Sequence, residues 1–363
     1  GWDKVIENLS KIPVISLALG PVAGLGAARL VSSHYSIMVR KVSQIFVAGP
    51  PLVEKIGEKV TKEELGGSEV HGSNGVIDDV AENETEAMEM AKTFLSFMPS
   101  SINYLPKKEI TKDDPLRKDD FLLSIIPRNK RESYDILPII KSVVDKNSFF
   151  ELGKKYGLSV ITGLARLDGF PIIVLANNPQ VYGGGWTTNS CKKIIKFIDL
   201  AQVFHFPVLN FIDNPGFIIG KNAEKDGTIK YGAKALAAIY QFKNPMCSII
   251  LRKVFGVAGA AHTNHMNFKF RFAWPSADTG SLPFEGGIEA AYKTEISQSK
   301  DPEKFIKDKY LKLNSLTSPF RTAEKFLLEN VIDPRNTRKE ACTWIKLAYK
   351  KLRTGSSSFG YRP

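Results

Sequence analysis

The chain has 363 residues, of which 43% are hydrophobic, and it carries a formal net charge of +12 at pH 7. Such a length and composition predict one large or two medium globular domains with real cores. No apolar run approaches the ~20 residues that cross a bilayer, so a membrane-spanning protein is not predicted.

The positive charge is scattered along the chain. It accompanies no recognised nucleic-acid motif and no aromatic-basic interleaving, so a nucleic-acid partner is not predicted. A polyphosphate ligand or a solvated surface accounts for it equally well. Cys191, Cys247 and Cys342 share no motif spacing, and we interpret them as reduced thiols. The expected compartment is the cytoplasm, or the mitochondrial matrix if the protein is eukaryotic.

The first hundred residues alternate apolar strands and helices. Residues 1–11 resemble the middle of a helix and Gly1 is not a methionine, so we expect a fragment. Residues 83–98 predict an amphipathic helix that Asn83 caps. Residues 68–77 are polar and glycine-rich. No sustained periodicity is present in residues 99–131, which predicts a linker.

A second series of strands and helices follows the linker. Residues 160–167 and 172–176 predict a hairpin across the turn Asp168-Gly169-Phe170-Pro171. Residues 189–205 predict a long helix, and 208–212 a buried strand that ends in a turn. Strands that alternate with helices in this way are typical of an α/β architecture.

The chain is organised around residues 248–262, SIILRKVFGVAGAAH. A buried strand, Ile249 to Leu251, leads into small residues that let a ligand approach the backbone. A helix that starts there offers free N–H groups to an oxyanion. Residues 14–28 repeat the pattern, with Ser16 before Gly24 as Ser248 stands before Gly256. The repeat predicts two related domains with one backbone anion site each, unless both copies are ordinary strand–turn–helix joints.

Several familiar site classes lack their motifs. Neither G-x-x-x-x-G-K-[ST], a well-placed G-x-G-x-x-G, nor G-x-S-x-G occurs. His262 and His265 would share one side of a helix, but no third metal ligand is evident, so no metal site is predicted. For His262 two interpretations remain, a hydrogen-bond donor of the active site and a satisfied structural histidine.

Many segments, which follow one another in the same order as in the family, resemble the carboxyltransferase (beta) subunit of biotin-dependent acyl-CoA carboxylases of the propionyl-CoA and acetyl-CoA type. The resemblance spans almost the whole chain and rests on residues 20–24, 46–50, 64–67, 71, 73–76, 97–100, 176–179, 211–217, 232–234, 252–253, 273–277 and 323–325.

The resemblance implies a crotonase-like fold of ββα units in two related domains, in a subunit that forms hexamers. Carboxybiotin would arrive from a biotin carboxylase or biotin carboxyl carrier subunit. Its carboxyl group would pass to the α-carbon of an acyl-CoA, a coenzyme A thioester, through an enolate held in backbone oxyanion sites. The implied domains are 1–105, the remainder of an N-terminal domain whose first part is absent, a linker at 106–131, and a C-terminal domain at 132–363.

The site would lie between the N-terminal domain of one subunit and the C-terminal domain of another. The implied residues for catalysis and for substrate binding are, respectively, Gly24, Leu25, Gly256, Val257 and Ala258, and Ala23, Gly26, Gly216, Phe217, Gly259 and Ala260.

Leucine at 25 and valine at 257 depart from the family, which has glycine at both positions. Gly259-Ala260 is a rival register for the second donor pair, and small residues there would admit a longer or different acyl group.

Two other functions remain open. One is the carboxyltransferase subunit of a biotin-dependent decarboxylase that drives a membrane pump, because the same oxyanion sites serve both directions. The other is a non-catalytic assembly subunit of a carboxylase complex, which Leu25 and Val257 favour.

Overall fold

The computed structural model of the chain describes residues 1–262, 268–281, 284–314, 316–357 and 360–361. Strands in these ranges, in chain order, are β1 Ile15–Ala18, β2 Val22–Ala23, β3 Tyr35–Val39, β4 Ile45–Phe46, β5 Asp79–Ala81, β6 Phe150–Leu152, β7 Val160–Leu167, β8 Phe170–Asn177, β9 Val208–Asn214, β10 Met246–Phe255, β11 Lys269–Ala273, β12 Asp278–Gly280 and β13 Asn330–Val331.

The helices follow the same order: α1 Trp2–Asn8, α2 Leu25–Val31, α3 Pro50–Glu54, α4 Lys62–Gly66, α5 Ser68–Asn74, α6 Glu84–Phe97, α7 Leu137–Val143, α8 Thr188–Val203, α9 Lys221–Lys225, α10 Thr228–Gln241, α11 Gly256–Ala261, α12 Phe284–Ala291, α13 Lys293–Gln298, α14 Pro302–Asn314, α15 Pro319–Glu324 and α16 Thr337–Lys351. No helix in the described part of the chain is both long enough and apolar enough to cross a membrane.

The strands form a small sheet of order β1-β3-β5, a pair β2-β4, and a large sheet of order β13-β11-β10-β9-β8-β7-β6 with β12 against the end of β10. Pairing is antiparallel only where β6 meets β7 and β7 meets β8. Parallel strands are covered on both faces, so they are apolar along their length. Strand β9 is buried at every position, as the apolar run in the sequence predicts.

The organising strand of the sequence is β10, the longest of the large sheet. Its first half, from Met246 to Ile250, pairs with β9 on one side and β11 on the other. The register with β9 shifts between Ile250 and Val254. Beyond this irregularity, Lys253 to Phe255 pair with β12, so the strand bends toward the turn that follows.

A continuous core joins the small sheet to one face of the large sheet. Tyr35 of β3 stacks on Phe94 of α6, with ring centroids 5.0 Å apart, and both belong to the same buried cluster as Trp186 and Phe204. A second buried cluster lies on the other face of the large sheet and includes Ile139 of α7 and Trp344 of α16.

The segment predicted as a linker is held firmly by one buried cation. Arg338 of α16 is 1% exposed. Its guanidinium donates to the carbonyl oxygens of Asp114, Val143 and Asp113 at 2.9, 2.8 and 3.3 Å, and to Asp145 Oδ1 at 2.8 Å. A buried guanidinium with this many acceptors is strongly bound, so the predicted linker is fixed in place at Asp113 and Asp114. The domain boundaries at 105 and 131 stay a prediction.

Helix α5 is among the helices that the sequence did not predict. Residues 68–74 form α5, although the sequence is polar and glycine-rich. Its His71 donates from Nε2 to the carbonyl oxygen of Ile45 at 2.8 Å. A Cβ atom on Gly66, just before α5, would lie 2.0 Å from that same oxygen. Close packing on β4, a tertiary contact, stabilises a helix that local propensity does not favour.

Candidate functional site

The two small-residue turns have the same local structure. Gly24 has φ +57° and precedes α2, and Gly256 has φ +63° and begins α11. Left-handed backbone of this kind is cheap only for glycine. Ser16 and Ser248 are separated by the same number of residues as Gly24 and Gly256, and so are Val22 and Val254. The predicted repeat is therefore present in three dimensions.

In the N-terminal turn, the Gly24 N–H donates to the carbonyl oxygen of Phe46 at 3.1 Å. This N–H is thus not free to bind a ligand, and the catalytic role expected of Gly24 stays a prediction. Helix α2 begins at Leu25, and the Ala28 N–H bonds to the Gly24 carbonyl oxygen at 3.0 Å. The N–H groups of Leu25 and Gly26 precede this first intrahelical bond and have no partner in the helix. Leu25 is 64% exposed, so its side chain finds room in solvent.

The C-terminal turn offers the equivalent pair of donors. Helix α11 runs from Gly256 to Ala261, so the N–H groups of Val257 and Ala258 precede its first intrahelical hydrogen bond. The N–H groups at the rival positions, Gly259 and Ala260, fall within the helical hydrogen-bond pattern. Val257 is 55% exposed, whereas the side chain of Ala258 is buried.

The small side chains after this turn serve packing. A Cβ atom on Gly259 would lie 2.9 Å from the backbone carbon of Val254. Glycine at 259 therefore lets α11 press against the end of β10. Ala260 is exposed, and its carbonyl oxygen accepts a hydrogen bond from the Tyr240 hydroxyl at 3.2 Å. The predicted influence of positions 259 and 260 on acyl length stays a prediction.

Gly216 lies beside the C-terminal turn. It has φ +128°, and a Cβ atom on it would be 3.9 Å from the Phe255 carbonyl oxygen. Its N–H donates to Asn214 Oδ1 at 2.9 Å, and its carbonyl oxygen accepts from the Trp186 N–H at 3.0 Å. The ring of Phe217 packs directly over Gly232. The structure thus brings Gly216 next to Gly256, while the Phe217 ring packs on α10.

The N-terminal turn faces a cleft of about 420 Å³, the lining of which comes from the first 32 residues alone: Val5, Asn8, Val14, Ser16, Leu17, Gly26, Arg29, Leu30 and Ser32. Ala23, predicted to bind substrate, lies in β2 immediately before this turn. No residue of the C-terminal turn lines the cleft.

His262 ends α11 and is a satisfied buried histidine. Its ring is 5.1 Å from that of Trp186, and its two nitrogens lie 2.9 Å from Asn210 Nδ2 and 3.0 Å from Asn214 Nδ2. Burial, with a smaller effect from Arg271, lowers the pKa of His262 to about 3. The imidazole is therefore neutral at physiological pH, which favours the structural interpretation. His265 lies outside the described residues.

A buried ion pair holds the ends of β9 and β10 together. Arg252 donates from Nε to Asp213 Oδ2 at 3.0 Å, and the Tyr134 hydroxyl donates to the same oxygen at 2.9 Å. The N–H of Lys253 donates to Asp213 Oδ1 at 3.0 Å. These bonds fix the bend of β10 that leads into the C-terminal turn.

Replacing Asp213 with alanine should lower the free energy of unfolding by about 3–5 kcal/mol, because the Arg252 guanidinium would be left buried without its partner. The matched control is Asp120→Ala, since Asp120 also pairs with an arginine but its side chain is 86% exposed. That change should cost less than about 1 kcal/mol. Urea denaturation of both variants measures the difference, and equal losses would contradict the role given to burial.

Comparison with known proteins decides the family. The model described as the carboxyl transferase domain matches residues 4–359. The chain belongs to this carboxyl transferase family. The chain is 30% identical over 353 residues to the propionyl-CoA carboxylase carboxyltransferase subunit of Haloferax mediterranei, with 96% of this chain and 68% of the relative covered. It is 32% identical over 345 residues to the methylmalonyl-CoA decarboxylase subunit alpha of Veillonella parvula, covering 93% and 66%.

A solved structure of the transcarboxylase 12S hexamer with methylmalonyl-coenzyme A bound superposes on this chain with a TM-score of 0.92. The two are 28% identical, and the match covers 100% of this chain and 70% of the other. The fold is crotonase-like, as the sequence resemblance implied. The chain spans about two thirds of the length of these relatives.

In the described part of the chain, no group of three or more His, Cys, Asp and Glu residues is arranged to hold a metal ion. Sequence analysis missed the contact of His262 with Asn210 and Asn214. The one available signal was two asparagines, four residues apart, in a strand that is otherwise apolar apart from Asp213.

Proposed function

We propose that this chain transfers the carboxyl group of carboxybiotin, borne by a separate carrier protein, to the α-carbon of a short acyl-CoA of the propionyl-CoA or acetyl-CoA type. The observation that carries the proposal is the pair of equivalent turns, each with two backbone N–H groups that have no partner in their helix. Both turns suit an oxygen that gains negative charge during a reaction.

At the N-terminal turn, the N–H groups of Leu25 and Gly26 would hold the thioester oxygen of the acyl-CoA. Loss of the α-proton places negative charge on this oxygen, and the resulting enolate then attacks the carboxyl carbon. One well-placed donor of this kind stabilises the transition state by about 3–4 kcal/mol. The repeat supports Leu25-Gly26 as the pair, since it corresponds to Val257-Ala258.

The N–H groups of Val257 and Ala258 would hold the ureido oxygen of biotin at the C-terminal turn. Their fit to such a group rests on the free donors and on the left-handed Gly256, where a Cβ atom would be 3.7 Å from its nearest neighbour, the Ser281 carbonyl oxygen. Carboxybiotin would supply the carboxyl group as CO2 when its N–carboxyl bond breaks, and the ureido anion left behind would accept the α-proton. No side-chain acid or base is then required, in keeping with the neutral, occupied His262.

The two turns would meet across subunits. The cleft at Gly26 is lined by N-terminal residues alone, so the second half of the site would come from another copy of the chain. The solved transcarboxylase 12S relative is a hexamer, which supports a homo-oligomer here. The excess of lysine and arginine suits the phosphates of coenzyme A and predicts that acyl-CoA binding weakens with salt. A biotin carboxylase and biotin carrier subunit are the proposed partners.

Transfer in the opposite direction is the second candidate, because one similar relative is a methylmalonyl-CoA decarboxylase subunit. Backbone donors stabilise the same charges whichever way the carboxyl group moves. The third candidate, a non-catalytic assembly subunit, loses support because Leu25 and Val257 both retain an N–H that is free of intrahelical bonds and both point their side chains outward.

The test is a carboxylation assay with carboxybiotin carrier and acyl-CoA substrates of increasing chain length. We expect turnover with a short acyl-CoA. Decarboxylation of the carboxylated acyl-CoA by the same preparation, without net forward transfer in the assembled complex, would favour the second candidate. No transfer of carboxyl in either direction would contradict the proposed function.

A further inference from the structure

His262 occupies a position between the helix of the C-terminal turn and the end of the neighbouring strand. It follows directly after α11, and its two ring nitrogens face Asn210 and Asn214, which lie four residues apart on β9. All three side chains are buried, with relative exposures of 4% for His262, 4% for Asn210 and 0% for Asn214. One imidazole therefore spans two polar side chains within an apolar core, beside the ring of Trp186.

The hydrogen bonds of Asn214 determine which nitrogen of His262 carries the proton. Asn214 Oδ1 accepts from the Gly216 N–H at 2.9 Å, so its Nδ2 is the atom that donates to His262 Nε2 at 3.0 Å. Nε2 must then be the unprotonated nitrogen of a neutral ring. A neutral ring keeps one proton, which must then be on Nδ1. The Asn210 amide therefore has to turn its oxygen toward Nδ1, exchanging the place of the Nδ2 atom that lies 2.9 Å away, so that Nδ1–H donates to this oxygen.

This arrangement connects the two segments on either side of the C-terminal turn, helix α11 and the loop at Gly216. On one side, His262 is continuous with α11, and its own N–H donates to the Gly259 carbonyl oxygen at 3.2 Å. On the other side, Asn214 holds the N–H of Gly216, whose backbone lies beside Phe255. The hydrogen bonds that run from α11 through His262 and Asn214 to Gly216 thus set the distance between α11 and the Gly216 loop.

We propose that His262 is a positioning residue for carboxyl transfer, which as the Nδ1–H tautomer links α11 to the Gly216 loop and so aims the Val257 and Ala258 N–H groups. It touches neither substrate nor reacting atoms. The proposal rests on the proposed function for its kinetic consequence, but its structural core, the tautomer and the Asn214 contact, stands independently. A proton on Nε2 would point at the Asn214 amide donors and break the link to Gly216.

Nitrogen NMR tests the structural core without any activity. In the assembled protein labelled with ¹⁵N-histidine, with the His262 resonances assigned by their loss in a His262→Gln variant, we expect the Nδ1–H tautomer from pH 6 to pH 8. An Nε2–H tautomer or an imidazolium in that range would overturn the proposal. This readout also stays valid if the wild type shows no carboxyl transfer, an outcome that would contradict the proposed function instead.

Two substitutions of His262 test its contacts with Asn214 and Asn210 separately, because each variant keeps one contact and loses the other. In His262→Gln the side-chain oxygen can take the place of Nε2 and keep the Asn214 bond, whereas in His262→Asn the amide can reach only the place of Nδ1 and keeps the Asn210 bond. We expect kcat to fall on the order of 10²-fold in the asparagine variant, as small misplacement of donors produces, and about 10-fold or less in the glutamine variant. KM for acyl-CoA should change by less than about threefold in both, because the N-terminal turn binds that substrate.

His205→Asn is the matched control. His205 is also a buried histidine, and it donates from Nε2 to the Ile102 carbonyl oxygen at 2.7 Å, but it contacts neither turn. Its positive φ of 62° is one that asparagine tolerates. We expect kcat close to that of the wild type in the folded control. Equal kcat losses for His262→Gln and His262→Asn, or a loss in the control as large as in His262→Asn, would show that only stability is affected and would overturn the proposal.

Discussion

Carboxyl transfer should fall by about 10²–10³-fold when Ala258 is replaced with proline, the usual loss for one oxyanion donor. Proline has no N–H, so the substitution removes one of the two donors at the C-terminal turn. Because Ala258 is fully buried, Val257→Pro serves as a second variant. The Val257 side chain is exposed and lies in the first turn of α11, where proline is tolerated. The measurement is transfer from carboxybiotin carrier to acyl-CoA, with circular dichroism to confirm folding.

Two further variants separate the donor from its surroundings. Ala258→Gly keeps the N–H and should cost far less than the proline variant. Ala260→Pro removes an N–H that lies within the helical bonds of α11, so any loss of transfer there should follow a loss of helix stability. Strong loss in a folded Ala260→Pro variant, with little loss at 257 and 258, would favour the rival register. Wild-type turnover in every folded proline variant would show that the turn only packs β10 against α11, and it would contradict a role for its N–H groups in carboxyl transfer.

Mixing experiments extend this prediction to assembly. Leu25→Pro should remove a donor at the N-terminal turn, again at the start of a helix and with an exposed side chain. If each site combines the N-terminal turn of one subunit with the C-terminal turn of another, hybrid oligomers of Leu25→Pro and Ala258→Pro subunits contain some intact sites. Partial activity should return after the two inactive variants are dissociated and reassembled together. No recovery in proven hybrids would contradict a shared site.

Lowering the pH from 6.5 to 4.5 should reduce the free energy of unfolding, with the largest contributions from His34 and His262. Burial lowers the pKa of His34 to about 4 and that of His262 to about 3, against an ordinary value of 6.5. Between these values the unfolded chain binds more protons than the folded chain, so stability rises with pH. It is fully present above pH 6.5 and is lost as the pH falls below that value. Each histidine contributes a slope of at most about 1.4 kcal/mol per pH unit.

Asp79 opposes this trend. Burial, with help from the neighbouring Asp78, raises the pKa of Asp79 to about 6, so the folded chain holds a proton between pH 3.8 and 6 that the unfolded chain has lost. Its contribution stabilises the fold at low pH and disappears as the pH rises through 6. The comparison of wild type with His34→Gln isolates one histidine, and urea denaturation between pH 4.5 and 6.5 should show a slope smaller by up to about 1.4 kcal/mol per pH unit in the variant. Identical slopes would contradict a buried neutral His34.

Local signals in the sequence predicted the elements whose stability is local. The hairpin of β7 and β8 turns at Asp168 and Gly169, which have φ of 50° and 79°, as an Asp-Gly turn predicts. Helix α6 begins after Asn83, whose side chain accepts a hydrogen bond from the Glu86 N–H at 2.9 Å. Buried strands such as β9 and β10 were evident from their apolar runs.

Contacts between distant segments account for what the sequence did not predict. Helix α5 depends on packing against Ile45, and the Gly24 N–H is taken by Phe46, so neither outcome is visible in local sequence. The link from His262 to Asn210 and Asn214 likewise joins positions about fifty residues apart. The repeat nevertheless identified both turns, because the same strand–glycine–helix order demands small residues at the same places.

The buried guanidinium of Arg338 also limits how the molecule can move. A slack connection at residues 106–131 would let the two halves of one chain open and close as a hinge. Here Arg338 ties Asp113 and Asp114 of this connection to the C-terminal half, and a rotation of the N-terminal half would have to expose the core shared by Tyr35 and Trp186. The two halves of one chain should therefore move together as one rigid body. At the proposed site between chains, a ligand would then be admitted by motion of side chains or of whole subunits.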